Sequence, residues 1–361
     1  MFCSLLKQYL IFVLIWVNYP NNIILKINQQ YIADLLKVSR VTVTKALKDH
    51  PDIAVDTKKK IKELADRLGY IPNGIGRSLS TRKTDTLGVI IPKVNHSFFS
   101  SVIEEVYRKA TELGYQIILM VSFEDEDIEL ANVKTLLSMN VDGILIDSAF
   151  SSVSNRAFSL IEKHRKPLLY FDRKPRTVDN PGVYFQDYEL SYDLTNDLIR
   201  RGYSKIMYVT GPQYINICYD RLRGFKEAMK GAKLKVPKNW VVKTVLDKRM
   251  AKGAFQLFLQ THDQLPEAVL CVNDSVALGV YSACKNAGIK IPDDIGVVGF
   301  GHVRTSNLVQ PPLSTIKLQI KNASSLAVER LVNMIESSDE TIDEKVGGGQ
   351  IIFRESIKLK I

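Results

Sequence analysis

The sequence has few of the residue patterns that mark catalytic or metal-binding proteins. Its four cysteines include no Cys-x-x-Cys pair, and its five histidines are isolated from one another. It contains no Gly-x-Ser-x-Gly elbow, no phosphate-binding loop, no His-Glu-x-x-His motif and no Gly-x-Gly-x-x-Gly motif. These absences remove the common signatures of hydrolases, nucleotide-binding enzymes and zinc enzymes. We therefore expect that the chain is not an enzyme and that it holds no metal ion or cofactor.

Acidic residues are under-represented in one part of the chain. The whole sequence has a formal net charge of +10, and residues 26–83 alone hold 13 Lys and Arg against 6 Asp and Glu. Most of the positive excess therefore lies in this short region. A basic region of this kind neutralises phosphates and releases counterions when it binds nucleic acid.

Residues 32–47 predict two short helices joined by a tight turn. Their shared core is expected to consist of Ile32, Leu35, Leu36, Val38, Val43 and Leu47. The Ser39 hydroxyl is placed to cap the second helix by accepting an otherwise unpaired backbone N–H. The open end of that helix then carries Arg40, Val41, Thr42, Thr44 and Lys45. A helix-turn-helix presents this end to the major groove, so double-stranded DNA is the expected partner.

An apolar segment near the N-terminus conflicts with this interpretation. Residues 10–17 are all apolar, but the run is shorter than a transmembrane helix and closer in length to the core of a signal peptide. Export would separate a DNA-binding module from DNA. We therefore expect residues 1–24 to precede the true start of translation. A membrane-tethered sensor is the alternative.

The rest of the chain predicts a third helix, a linker and an α/β body. The helix is predicted over residues 55–68, with Gly69 following its end, and a polar linker covers residues 73–83. Beyond residue 84, apolar strand-like runs alternate with helical stretches. The predicted strands are 87–91, 116–121, 143–146, 168–171, 205–209, 268–272 and 296–300, and the predicted helices include 98–113, 190–201, 220–229 and 275–287. This alternation predicts two lobes with parallel sheets and a ligand cleft at the carboxyl ends of the strands.

Several motifs occur in a fixed order along the chain. They are Val-Ser-Arg-Val-Thr-Val-Thr-Lys at 38–45, Leu-Gly-Tyr-Ile-Pro-Asn at 68–73, Leu-Gly-Val-Ile-Ile-Pro at 87–92, Phe-Asp-Arg at 171–173, Arg-Leu-Arg-Gly-Phe at 221–225, Val-Asn-Asp-Ser-Val-Ala-Leu-Gly at 272–279, Val-Gly-Phe at 298–300 and Pro-Pro-Leu-Ser-Thr at 311–315. In this order they resemble the lac repressor (LacI/GalR) family of bacterial transcription regulators.

The resemblance implies a fold and its boundaries. An all-α helix-turn-helix domain is expected over residues 25–72, and a hinge helix over 73–83. A two-lobed α/β body of the periplasmic-binding-protein-like (type I) fold is expected over 84–361. The first lobe is placed at about 84–184 and 316–343, and the second at about 185–315 and 344–361.

The resemblance also implies which residues contact DNA. They are Ser39, Arg40, Val41, Thr42, Thr44, Lys45, Asn73, Arg77 and Leu79. Arg40 is expected to pair with guanine, and Val41 to contact a thymine methyl group. The hinge leucine, Leu79, is expected to wedge between base pairs in the minor groove, or else to pack against the body.

A sugar or sugar derivative is the effector that the resemblance implies. The matching cleft residues are Phe98, Phe99, Asp172, Arg221, Asn273 and Asp274. The phenylalanines face either a sugar ring or the core, and Asp274 either binds ligand or caps the following helix. Arg221 is expected to grip two hydroxyls, a carboxylate or a phosphate.

One departure from the family pattern concerns the effector. The family usually has an aspartate after the Gly-Phe of residues 299–300, whereas this chain has Gly301 and His302. Without that negative charge facing Arg221, an anionic ligand such as a uronate or a sugar phosphate is expected.

These features together predict a cytoplasmic transcription regulator. It is expected to repress carbohydrate-related genes, to bind a palindromic operator as a homodimer and to respond to an effector in the cleft between the lobes. A sugar-binding receptor of the periplasmic type is the alternative, although such a receptor does not need a basic module. An enzyme would need catalytic groups that converge in the cleft.

Overall fold

The computed structural model describes residues 27–71, 83–149, 154–262, 264–301, 304–337, 344–346 and 348–360. The chain divides into two compact units, residues 1–80 and residues 81–361. The predicted leader, at residues 1–24, and the hinge positions Asn73, Arg77 and Leu79 lie outside the described residues. Within the described ranges, no helix has both the length and the apolar character needed to cross a membrane.

The first unit forms the helices α1 (Gln29–Leu36), α2 (Arg40–Leu47) and α3 (Val55–Leu68). The predicted turn between α1 and α2 is confirmed, because Lys37 adopts a left-handed conformation and Ser39 begins the next helix. The third helix has the predicted bounds and ends at Gly69, whose φ of +64° suits a residue without a Cβ.

A small core joins these three helices. Its fully buried members are Ile32, Ala33, Val43, Ala46, Ile61 and Ala65. The prediction that Leu35 belongs to this core is wrong, because its side chain is 49% exposed. Leu35 is adjacent to the partly buried Leu36, and successive residues of a helix point in different directions.

The second unit alternates strands and helices as predicted. Its elements are β1 (Thr86–Ile91), α4 (Ser97–Glu112), β2 (Gln116–Val121), α5 (Glu126–Ser138), β3 (Gly143–Ile146), α6 (Arg156–Lys163), β4 (Leu168–Phe171), β5 (Gly182–Phe185), α7 (Asp187–Arg200), β6 (Ile206–Thr210), α8 (Asn216–Gly231), β7 (Val241–Lys243), α9 (Lys248–Thr261), β8 (Ala268–Cys271), α10 (Asp274–Ala287), β9 (Gly296–Val298), β10 (Thr315–Leu318), α11 (Ile320–Ser337), β11 (Glu344–Val346) and β12 (Gly349–Ile352). Short 3-10 turns occur at Lys238–Trp240 and Arg304–Asn307.

Two parallel sheets define two lobes within this unit. The sheet of the first lobe has the strand order β11-β5-β4-β3-β1-β2, and helices α4 and α11 pack together beside it. The sheet of the second lobe has the order β7-β6-β8-β9, and its helices pack in the pairs α7 with α8 and α9 with α10. An antiparallel ribbon of β10 and β12 adds a third, two-stranded sheet.

One predicted lobe assignment is wrong. The sequence placed residues 344–361 in the second lobe, but β11 pairs in parallel with β5 and extends the first sheet. Further along, Ser356 does lie in the second lobe, where its hydroxyl donates to the carbonyl of Val297 in β9, so the error concerns residues 344–346. A three-residue edge strand has too short a pattern to reveal its partner sheet.

Candidate functional sites: a recognition helix and a ligand cleft

The N-terminal end of α2 carries a capped turn with two free side chains. The Ser39 hydroxyl accepts from the backbone N–H of Thr42 at 3.0 Å, which confirms the predicted cap. The two hydroxyl oxygens of Ser39 and Thr42 are 2.8 Å apart. Arg40 is exposed, and Val41 is 63% exposed although it is apolar. Both side chains therefore project from the helix end that the sequence predicted to read DNA.

Two other predicted contact residues are held within the first unit. Thr44 donates from Oγ1 to Oε1 of Gln29 at 2.8 Å, which ties α2 to the first turn of α1. The ammonium group of Lys45 lies 2.7 Å from Oδ2 of Asp52 in a half-exposed ion pair. Lys45 must exchange this carboxylate for a phosphate or a base if it is to contact DNA.

A small cavity lies at the carboxyl ends of the strands in the second unit. Its volume is about 30 Å³, which is room for about two water molecules. Predicted residues in its wall are Phe98, Asp172, Arg221, Asn273 and Asp274, joined by His96, Arg173, Ile217, Phe300, Gly301 and Leu318. Side chains of both lobes therefore meet around one space.

The two predicted phenylalanines differ in position. Phe98 lines the cavity, and its ring lies edge-on to the ring of Phe99, with centroids 5.3 Å apart. Phe99 is only 1% exposed and lies behind Phe98, where the guanidinium of Arg173 sits 5.2 Å from its ring centre. Phe99 therefore supports the wall of the cleft from the core instead of forming its surface.

Arg221 is bound to a carboxylate that sequence reasoning missed. Its Nε donates to Oδ1 of Asp187 at 2.6 Å, and its Nη1 donates to the carbonyl of Val272 at 2.7 Å. The guanidinium carbon also lies 3.8 Å from the ring centre of Phe300. Burial raises the pKa of the Asp187 carboxyl, while the adjacent guanidinium favours its ionised form. Asp187 is the first residue of a helix that follows a buried strand, and this position was the indication in the sequence that its carboxylate lies at the cleft.

A buried charged cluster follows strand β4. Arg173 lies 3.2 Å from Glu124 and 3.5 Å from Asp147, in an almost fully buried setting. The neighbouring Asp172 has a φ of +58°, and among the described residues its Oδ1 has no hydrogen-bond partner. Burial raises the pKa of both Asp147 and Asp172. Asp172 therefore brings an unpaired acceptor oxygen to the cavity.

Asn273 and Asp274 have separate roles at the end of β8. Asn273 caps α10, because its Oδ1 accepts from the backbone N–H of Val276 at 2.9 Å. Asp274 is fully buried and accepts from the hydroxyls of Thr315, at 2.6 Å, and Ser306. The suggestion that Asp274 caps this helix is therefore wrong, and its carboxylate instead fixes the start of β10.

His96 connects the two lobes and was not predicted. Its Nε2 lies 2.8 Å from the hydroxyl of Ser275, between the cap of α4 in the first lobe and the first turn of α10 in the second. Burial, together with the charges of Arg173 and Lys93, lowers the pKa of His96 to about 4. The ring is therefore neutral near pH 7. Its position directly before the Ser-Phe-Phe sequence was the only indication in the sequence that His96 lies at the cleft.

Gly301 stands where the resemblance implies an aspartate. Its φ is +116°, a backbone conformation that residues with a Cβ rarely adopt, and an added Cβ would meet nothing within 4 Å. Its N–H donates to the carbonyl of Ile316 at 2.9 Å. Backbone geometry, and not lack of space, therefore favours glycine here, and His302 lies outside the described residues.

A helix-turn-helix module and a two-lobed body with polar groups at its strand ends define a class of ligand-binding DNA regulators. Family models agree with both parts. "Bacterial regulatory proteins, lacI family" matches residues 30–73, and "Periplasmic binding proteins and sugar binding domain of LacI family" matches residues 84–347. The chain belongs to the LacI family of bacterial transcription regulators.

Individual relatives extend over nearly the whole chain. The ribose operon repressor of Haemophilus influenzae is 29% identical over 329 residues, which is 90% of this chain and 97% of that protein. A crystal structure of the lac repressor dimer bound to operator and an anti-inducer superposes with a TM-score of 0.81 at 20% identity, covering 91% of this chain and 98% of that one. A complex of the regulator CelR with cellobiose gives a TM-score of 0.70 at 21% identity, covering 92% and 100%.

Proposed function

We propose that this chain is a transcription regulator, acting as a repressor, that binds operator DNA as a homodimer and a neutral sugar in its cleft. The observation that carries the ligand assignment is the buried Oδ1 of Asp172, which has no hydrogen-bond partner among the described residues, in a cavity that Phe98 also lines. A carboxylate oxygen accepts hydrogen bonds from hydroxyl groups, and an aromatic face suits the apolar side of a sugar ring. Asn273 supports the same ligand, because its capping oxygen leaves the Nδ2 group as a donor.

The charges around the cleft favour a neutral ligand over an anionic one. Arg221 already has a carboxylate partner in Asp187, so the glycine at position 301 does not leave the guanidinium without a counter-charge. Arg173 is likewise paired, with Glu124. A ligand phosphate or carboxylate would have to displace these partners or lie beside them, at a cost in repulsion and desolvation.

Ligand binding is proposed to change the arrangement of the two lobes around the cavity. The cavity of about 30 Å³ is far smaller than the ~300–1,000 Å³ of typical ligand pockets. A sugar therefore requires the two lobes to separate at contacts such as the one between His96 and Ser275. A ligand that prefers one lobe arrangement shifts the population toward it, and the affinity for DNA changes in proportion to that preference.

DNA recognition is proposed to start from α2. Arg40 and Val41 are the proposed base readers, since both are exposed and neither is tied to the rest of the first unit. Ser39, Thr42 and Thr44 position the helix and contact phosphates. The hinge residues Asn73, Arg77 and Leu79 complete the proposed DNA surface. The homodimer is proposed by analogy with a relative, because the lac repressor in the matching structure is a dimer bound to operator.

A ligand screen tests the effector proposal. Thermal unfolding of the full chain is measured with ribose, glucose and cellobiose, and in parallel with glucuronate and glucose 6-phosphate. At least one neutral sugar is expected to raise Tm, since a ligand at 100 times its Kd stabilises by about 2.7 kcal/mol. Asp172→Asn is expected to abolish the shift, whereas the exposed control Asp179→Asn retains it. A shift with the acidic sugars alone, or an unchanged response of Asp172→Asn, overturns the assignment.

A binding selection tests the DNA proposal. Duplexes are selected from a random pool with the full chain, and affinities are measured by fluorescence anisotropy at several salt concentrations. The selected sites are expected to be palindromic. Arg40→Ala is expected to lose about 1–3 kcal/mol of discrimination at one base pair in each half-site. Selection of no common sequence, or unaltered discrimination by the variant, overturns the role of Arg40.

A further inference from the structure

A second basic cluster lies outside the DNA-binding module. Residues 226–243 contain six lysines and a single carboxylate, Glu227, which is a net charge of +5 in a chain whose total is +10. This segment belongs to the second lobe, and none of its lysines lines the ligand cleft. Neither contact between the first unit and operator DNA nor binding of the effector therefore explains this cluster.

The backbone brings these lysines together around one groove. Helix α8 ends at Gly231, and Lys233 takes a left-handed conformation with a φ of +57°. The N–H of Leu234 donates back to the carbonyl of Met229 at 2.9 Å, which reverses the chain toward β7. The five lysines on the groove, whose volume is about 680 Å³, are Lys226, Lys230, Lys233, Lys238 and Lys243.

The floor of this lysine groove is apolar. Met229, Leu234, Val236 and Val241 line it, and the last three are only half-buried. The five lysines are exposed, and in the described part of the chain no carboxylate lies within ion-pair distance of their ammonium groups. Like charges at this density repel one another, and this repulsion opposes folding. An apolar floor with a cationic rim matches the layout of a recognition surface.

Charge and shape select among possible occupants. A second copy of this chain is disfavoured, because a two-fold contact would place the same lysines opposite each other. DNA would satisfy the lysines but would leave the apolar floor without a partner, since phosphates carry the contact. A peptide with both carboxylates and apolar side chains satisfies the rim and the floor together.

We propose that the lysine groove is a docking site for an acidic segment of another protein, with aspartates and glutamates facing the five lysines and one or two large apolar side chains on Leu234 and Val236. Electrostatic attraction speeds the encounter and makes it sensitive to salt, and the apolar contact provides specificity over other polyanions. The site is separate from the effector cleft, so it gives the regulator a protein partner besides DNA and effector.

A designed peptide tests this proposal on the full chain. The probe is a fluorescein-labelled twelve-residue peptide of Asp and Glu with Leu at every fourth position, and binding is followed by anisotropy. Binding is expected to weaken at least about fivefold as NaCl rises from about 50 to 300 mM. Replacing each Leu of the peptide with Ser is expected to weaken it about tenfold.

Matched variants locate the binding. Lys230→Glu/Lys233→Glu is expected to weaken the peptide at least tenfold. The control Lys285→Glu/Lys290→Glu reverses two exposed lysines of the same lobe and is expected to keep the affinity. Thermal unfolding checks that each variant is folded, and Lys230→Gln/Lys233→Gln replaces the first if it is not.

Several outcomes overturn the proposal. The first is absence of peptide binding. The others are an equal loss of affinity in both double variants, no loss of affinity in Lys230→Glu/Lys233→Glu, and a Ser-substituted peptide that binds as tightly as the Leu peptide. Displacement of the peptide from the groove by inorganic pyrophosphate or by a non-operator duplex at comparable concentration would show a site for polyanions in general, and this too overturns it.

Discussion

The Nε of Arg221 donates to Oδ1 of Asp187 at 2.6 Å, and both side chains are about 4% exposed. Asp187 is the first residue of α7, where the helix dipole favours a carboxylate. This pair supplies Arg221 with a negative charge that the glycine at position 301 does not provide. It also holds the guanidinium beside Phe300 at the cavity wall, so this charged group is fixed in orientation.

Asp187→Asn is expected to destabilise the protein by about 3 kcal/mol, because removal of one partner leaves a buried charge uncompensated. Chemical denaturation at pH 7 measures the change. The control is Asp197→Asn on the same helix, whose partner Arg200 is largely exposed, and it is expected to change stability by less than about 0.5 kcal/mol. Similar effects of the two substitutions would contradict a structural role for the buried pair.

His96 is expected to make stability depend on pH between 6.5 and 4. Its pKa is lowered to about 4 in the folded chain, whereas the unfolded histidine takes up a proton near its ordinary value of 6.5. The unfolded state therefore binds more protons in this window. The contribution of His96 to the free energy of unfolding is fully present above pH 6.5 and is lost as the pH falls to 4.

Over this pH range, the free energy of unfolding is expected to fall by about 3 kcal/mol because of His96. Denaturation of the wild type and of His96→Gln at pH 7, 5.5 and 4.5 isolates the contribution, because other groups titrate equally in both proteins. The variant is expected to lose less stability over this range. Parallel pH profiles for the two proteins would show that His96 is not the buried neutral group described.

Restoring the family's aspartate at Gly301 is expected to reduce stability. The φ of +116° imposes a backbone cost of about 1–3 kcal/mol on any residue with a Cβ, although space is available. Gly301→Ala and Gly301→Asp are therefore expected to lower Tm by similar amounts. Gly231→Ala, at a helical glycine with open space and an ordinary φ, serves as control and is expected to leave Tm unchanged or slightly higher. A stabilised Gly301→Ala would refute the backbone explanation.

Asp52→Asn is expected to tighten binding to DNA by about fivefold at low salt. The substitution releases Lys45 from its 2.7 Å ion pair and removes a charge that repels phosphates, and both changes favour contact with DNA. Anisotropy titrations at two salt concentrations measure the change. Asp49→Asn breaks a similar pair with Lys62, a residue of α3 and not of the recognition helix α2, and is expected to alter affinity by less than about twofold. Weaker binding by Asp52→Asn would mean that the pair orders the recognition helix.

The helix-turn-helix could be predicted from the sequence because its determinants act over short distances. Ser39 caps α2 through the N–H of a residue three positions later, and the bounds of α3 follow from apolar spacing and Gly69. The alternation of strands and helices similarly predicted parallel sheets. Leu35 was misplaced because periodicity alone leaves the direction of a marginal helix face undetermined.

In the cleft, the sequence determined which chemical groups are present, and tertiary packing decided what each one does. Asp187 and Arg221 are 34 residues apart, Asp274 and Thr315 are 41 apart, and His96 and Ser275 are 179 apart. No local pattern encodes such pairs, because they form only when separate strands end at the same edge and helices of two lobes converge there. Buried polar groups need partners, and tertiary packing gave Asp274 the hydroxyls of Thr315 and Ser306, whereas among the described residues it gave Oδ1 of Asp172 none.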